Sequence, residues 1–142
     1  DEKTSILEIM VMTRPILTVL AGAVLAVGLA APAASAGLDG EKLFKRKCGA
    51  CHFVTDKKKL GPGLAGIFGR TAGTFKPFNY SRSMKAAGRA DPPLVWSAET
   101  IDAYLANPKE YIPKNKMSLR PIRKAEERAA IIKYMEQATA AQ

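Results

Sequence analysis

The chain has 142 residues, 25% charged and 47% hydrophobic, enough for one domain with a modest core. Its formal net charge of +9 favours acidic or anionic partners. With 2 Cys and 1 His in all, a structural zinc site of four N or S ligands cannot be completed within the chain.

In chain order, Ile16 to Ala36 is almost wholly Ala, Val, Leu, Gly and Ile, follows Arg14 and ends in Ala34-Ser35-Ala36. This is the pattern of a signal peptide: basic start, apolar centre, small residues at the cleavage site. Residues 1–36 are therefore expected to be a leader starting from Met12 and cleaved after Ala36, with residues 37–142 as the domain. The competing reading is a retained anchor, since the apolar stretch nears the ~20 residues that span a bilayer. Its Ala and Gly content argues for cleavage. Lys3 and Arg14 are the leader's only cations and Asp1, Glu2 and Glu8 its acids, so the positive excess belongs to residues 37–142. The domain is therefore expected in the bacterial periplasm, with no nucleic acid as a partner.

Asp39 or Gly40 can start a helix with Leu43, Phe44 and Cys48 inward. This helix leads into Cys48-Gly49-Ala50-Cys51-His52, whose spacing is that of a covalent c-type haem site. Each thiol can add to one vinyl group of the porphyrin, and the next-door imidazole then lies under the iron. A thioredoxin-like site would need alternating strands and helices around it, and none is patterned here. A disulfide would close only a very small loop and leave His52 without a role.

From Phe53 to Gly73, Gly61, Pro62, Gly63, Gly66 and Gly69 exclude a long helix or regular strand. Leu60, Leu64, Ile67 and Phe68 nonetheless ask for burial, so a loop packed around a flat ligand is expected. A second helix is predicted over Ser81 to Ala87, closed by Gly88, and Arg89 to Leu94 reads as a surface insertion. Ser97 caps a third helix bearing Ile101, Tyr104 and Leu105, which Pro108 ends near Asn107. The fourth runs from about Lys124 to Ala138 with Ile131, Tyr134 and Met135 on one side. The fold class is all-α: about four helices and packed loops around one covalent haem c.

His52 being the sole histidine, a second imidazole ligand is excluded within the chain. A methionine or an open site remains. Met135 reads as core filler and Met84 as a short-helix core residue. Met117 lies in a polar, cationic loop with no helical stripe to join, which favours it as the sixth ligand.

Residues 38–139 resemble class I cytochrome c, of the mitochondrial and alphaproteobacterial soluble type. The resemblance rests on Gly40, Phe44, the Cys48 to His52 motif, Gly61-Pro62, Gly66, Gly69-Arg70, Tyr80, Trp96, Tyr104-Leu105, Pro108, Lys109, Tyr111, Pro113, Lys116-Met117 and Tyr134. It implies that the Pro62 carbonyl fixes the His52 ring. Arg70, Tyr80 and Trp96 correspond to propionate-binding residues, Tyr104 to the residue near the Met117 sulfur, and Gly40 with Tyr134 to the contact between first and last helices. His52 and Met117 are the implied iron ligands. The chain departs from the pattern at Lys114, where the family usually has Gly, and at Leu119-Arg120-Pro121 after the methionine.

The implied function is that of a periplasmic one-electron carrier, not an enzyme, shuttling between respiratory or photosynthetic complexes. Acidic-faced redox proteins are the expected partners: a quinol-oxidising cytochrome complex, a terminal oxidase or a reaction centre. They would be steered by Lys47, Lys109, Lys116, Arg120 and Lys124 around the haem edge. A monomer is expected, touching membranes only through its partners unless the leader is kept. The alternative is a haem c enzyme or gas sensor with a labile sixth ligand. For an enzyme no general acid or base stands out, the only His being committed to iron.

Overall fold

The computed structural model describes residues 37–140; the expected leader lies outside them. Five helices follow one another: α1 (Gly40–Lys47), α2 (Arg82–Ala87), α3 (Ala98–Ala106), α4 (Pro108–Tyr111) and α5 (Ala125–Ala140). Among the described residues the only extended pairing is an isolated antiparallel bridge between Thr71 and Val95.

Local chemistry sets most of the boundaries. Asp39 caps α1 by accepting the Lys42 amide at 2.9 Å. Ser81 caps α2 through the Met84 amide at 3.1 Å. Ser97 and Thr100 form a reciprocal capping box on α3, each side chain taking the other's backbone N–H. Pro108 ends α3 as expected, and as a first-turn residue it also opens α4, capped by Asn107. That one-turn helix accounts for five helices against the four expected: four residues are too few for an apolar stripe. Gly88 does close α2, but with φ −75° rather than in the left-handed region. Its role is close approach, because a Cβ there would collide with the Ala72 carbonyl.

α1 crosses α5 with Leu43 and Phe44 buried, and the Phe44 ring lies 5.4 Å from that of Tyr134. At this crossing Gly40 faces the Ala130 carbonyl so closely that a Cβ would collide with it. α5 also packs on α3, where the Arg128 guanidinium grips both carboxylate oxygens of Asp102 at 2.8 and 3.2 Å. The same guanidinium donates to the Ile122 carbonyl at 2.9 Å, fixing the strand of chain that leads into α5.

Between α1 and α2 the chain is irregular but packed. Leu64, Ile67 and Ala72 join the core, while Phe68 is half-buried against it. Leu60 corrects the expectation of burial: it is 77% exposed. None of the described helices is long and apolar enough to cross a membrane.

Candidate haem site

Three parts of the chain converge on one cavity of about 740 Å³: the end of α1 with the loop behind it, the α2–α3 region, and the segment between α4 and α5. Its wall includes Cys48, Cys51, His52, Pro62, Arg70, Tyr80, Trp96, Tyr104 and Met117, so all nine sequence-predicted site residues meet there. Phe44, Leu64, Ile67, Ile101 and Leu105 make much of the rest of the lining apolar. The volume lies within the ~300–1,000 Å³ usual for cofactor pockets.

The two thiols stand at the C-terminal end of α1. Cys48 is its C-cap, with its amide bonded to the Phe44 carbonyl at 2.7 Å. The chain then turns tightly, Cys51 and His52 both donating to the Cys48 carbonyl at 3.0 and 2.9 Å. This turn brings both sulfurs and the imidazole to one cavity wall. The cysteines are not joined to each other. Burial pushes the Cys48 thiol up to about 11.

His52 Nδ1 donates to the Pro62 carbonyl at 2.9 Å. A carbonyl only accepts, so the proton sits on Nδ1 and the lone pair on Nε2, the form needed for metal ligation. Burial lowers the imidazole's affinity for a second proton, the Pro62 bond opposing it. Gly61 packs against the ring so closely that a Cβ would strike it. The Gly61-Pro62 pair therefore sets both the tilt and the tautomer.

Met117 is half-buried and fixed by its backbone. Its amide donates at 2.8 Å to Oδ1 of Asn115, a buried side chain whose Nδ2 donates to the Pro108 and Ile112 carbonyls at 2.6 and 2.7 Å. Lys109 Nζ donates to the Asn115 carbonyl at 2.7 Å. Lys116 Nζ donates to the Asn79 carbonyl at 2.7 Å, tying the methionine loop to the α2 side. Sequence reading missed Asn115, since nothing in spacing tells a buried, fully bonded Asn from a polar loop residue. Met84 and Met135 are both buried and also border the cavity, so their core role and the lining role coincide.

Trp96 and Tyr104 are each 7% exposed, with rings 5.2 Å apart. Among the described residues no fully buried side-chain nitrogen or oxygen lacks a partner. Among the described residues the Trp96 N–H and Tyr104 O–H have no hydrogen-bond partner, and both side chains line the cavity, so two donors are available to whatever fills it. Burial pushes the Tyr104 phenol well above its ordinary range, keeping it a neutral donor. Arg70 borders the cavity but spends Nη1 and Nη2 on the Ala65 and Gly63 carbonyls at 3.2 and 3.0 Å, bracing the loop. Tyr80 packs edge-on to Phe78 at 4.8 Å.

Of the expected cationic rim, Lys47, Lys116 and Arg120 border the cavity, whereas Lys109 and Lys124 do not. Lys47 is partly neutralised by Glu127 at 3.1 Å. Lys109 is drawn inward to the Asn115 carbonyl, and Lys124 sits just ahead of α5.

An apolar cavity flanked by two thiols, a neutral imidazole, a thioether and two unpartnered ring donors fits a haem in size and chemistry. No cluster of three or more His, Cys, Asp or Glu offers a competing metal site among the described residues.

Comparison with known proteins agrees. A family model for cytochrome c matches residues 38–139. The chain is 47% identical over 104 residues to a cytochrome c of Chlamydomonas reinhardtii, covering 71% of this chain and 88% of the relative. It is 46% identical over 98 residues to cytochrome c 2.1 of Caenorhabditis elegans, covering 68% and 84%. To the cytochrome c of Ginkgo biloba it is 42% identical over 102 residues, covering 70% and 86%. The chain therefore belongs to the cytochrome c family: it is an all-α haem c electron carrier whose Cys48 and Cys51 have the spacing of the covalent attachment motif.

Proposed function

We propose that the chain is a periplasmic one-electron carrier, exported by a leader starting from Met12 and cleaved after Ala36, in which His52 and Met117 would ligate the haem iron. It serves electron transfer and not catalysis, docking to acidic faces of a quinol-oxidising complex, a terminal oxidase or a reaction centre. Haem c supplies an iron that cycles between ferric and ferrous states, at a potential raised by thioether ligation.

The observation that carries this reading is that His52 and Met117 share one cavity and are each fixed from outside it. The Pro62 carbonyl holds the imidazole in its ligating tautomer. Asn115 holds the Met117 backbone through a side chain that is itself bonded twice more. Ligands fixed in this way move little when the metal changes charge, which keeps the reorganisation accompanying electron transfer small. Trp96 and Tyr104 would offer their N–H and O–H to polar groups of the cofactor, and the surrounding apolar side chains would exclude water. Cys48 and Cys51 anchor the cofactor at the end of α1.

Carbon monoxide tests the reading. The reduced holoprotein should leave it unbound at concentrations that saturate an open haem, while exchanging electrons rapidly and reversibly with a small neutral redox mediator. Rapid carbon monoxide binding would contradict a closed, six-coordinate carrier. Sequencing the N-terminus of protein from its native host should give Gly37; a start at Asp1 or Met12 would refute the cleavage.

A further inference from the structure

A second, smaller cavity of about 190 Å³ lies between the loop at Ala72 to Thr74 and the end of α2. The loop contributes Ala72, Gly73 and Thr74; α2 and the two residues after it contribute Lys85, Gly88 and Arg89, none of which borders the haem cavity. Two glycines bring these segments together. A Cβ at Gly88 would collide with the Ala72 carbonyl, and one at Gly73 would lie 3.0 Å from the Met84 carbonyl oxygen. Gly73 also takes φ +74°, a conformation that L side chains rarely adopt. The loop is braced from within and behind: the Thr74 hydroxyl donates to the Thr71 carbonyl at 2.7 Å, and the Ala72 amide to the Leu94 carbonyl at 2.8 Å.

The donors around this cavity are unspent. Lys85 and Arg89 take part in no ion pair among the described residues, and no carboxylate lines the space they share. The Gly73 and Thr74 backbone N–H groups have no partner among the described residues either. Two cations and two successive amides, one of them on a left-handed residue, are what an anion-binding concavity is made of. We propose that this cavity binds a phosphate group, whether of free phosphate or of a lipid headgroup. Arg89 offers a planar fork of donors and Lys85 a point charge, and the several oxygens of a phosphate accept from both and from the amides at once. Its negative charge relieves the repulsion between two cations that have no acid between them. The site stands apart from the haem and does not rest on the electron-carrier reading. It reaches the haem cavity through one residue, since Met84, which precedes Lys85, is buried at that cavity's wall.

The test titrates reduced, nitrogen-15-labelled holoprotein with inorganic phosphate while chloride holds the ionic strength constant. The Gly73 and Thr74 amide resonances should shift and saturate in the millimolar range at one phosphate per chain, and the thermal unfolding midpoint should rise as binding to the native state requires. Lys85→Gln and Arg89→Gln should each weaken binding roughly fivefold or more, and the two together should abolish both effects. Arg89 is exposed and Lys85 half-buried, so the visible spectrum of the double variant should match the parent's. Lys57→Gln with Lys58→Gln, outside the cavity, should stay within about twofold. Vesicles of phosphatidylglycerol, against phosphatidylcholine, separate the sources: saturation by free phosphate assigns a soluble ligand, whereas shifts seen only with phosphatidylglycerol and lost in the double variant assign a headgroup. Saturation with neither overturns the proposal. So do a double variant that responds like the parent, and equal shifts over the other lysine-bearing surfaces, which would leave an ion atmosphere only.

Discussion

At Met117 the backbone amide goes to Asn115 and the side chain is left to face the cavity. Met117→Ala should therefore keep the loop and lose the sulfur. The near-infrared charge-transfer band of the ferric protein should vanish, and the midpoint potential should fall on the order of 0.1–0.3 V, part of the ~0.8 V range that axial ligands command. Persistence of the band would assign ligation to another thioether, Met84 or Met135, which share the same cavity. Three residues earlier, Lys114 sits at φ +58°, where an L side chain crowds its own carbonyl. Lys114→Gly relieves that at some cost in unfolded-state entropy and should stabilise the protein by about 1 kcal/mol in denaturant unfolding. The departure from the family's usual glycine was readable in sequence; the backbone angle that gives it meaning was not. His52 carries a pH dependence of definite sign. Burial lowers its proton affinity from an ordinary value near 6.5. As pH falls through that value the unfolded chain takes up the proton first, so stability is complete above it and declines below. Unfolding free energy measured from about pH 8 to 5 should be flat and then drop; a rise on acidification would contradict a buried neutral imidazole.

Among the elements, the crossing of α1 and α5 is the most sensitive to a single atom. Gly40→Ala places a Cβ against the Ala130 carbonyl and must push the helices apart, at an expected cost of about 2–3 kcal/mol in denaturant unfolding. Because the two thiols sit at the far end of α1, a shifted α1 should also perturb the haem spectrum. Helix positions were largely legible in sequence, since the caps Asp39 and Ser97 and the stop at Pro108 act within three or four residues. What was not legible is nonlocal. Gly88 looks like a left-handed stop but is needed for contact with Ala72, sixteen positions earlier, and α4 is too short to show a period. Leu60 was expected inside because it is leucine; the Lys59 and Gly61 bonds that turn it outward join residues ten positions apart.

Over the whole molecule, the sequence motif named the thiols and the imidazole, while the cavity that unites them with Met117 is a property of the folded chain. It exists because α1, the Arg70-braced loop and the Asn115-pinned loop each present one wall. Its cations are on that mouth too: Lys47, Lys116 and Arg120 border it. A domain this basic should react with acidic redox proteins at rates that fall steeply as ionic strength rises from about 0.01 to 0.15 M, where the screening length shrinks from ~30 to ~8 Å. A flat salt profile would remove electrostatic steering from the account. The most direct test of the central claim is an anaerobic redox titration of the mature protein followed through the visible and near-infrared. His52 and Met117 on one covalently held haem predict a single reversible one-electron wave, with the sulfur-to-iron band present in the ferric form and lost on reduction. A wave that is irreversible or split, or a ferric spectrum without that band, would contradict it.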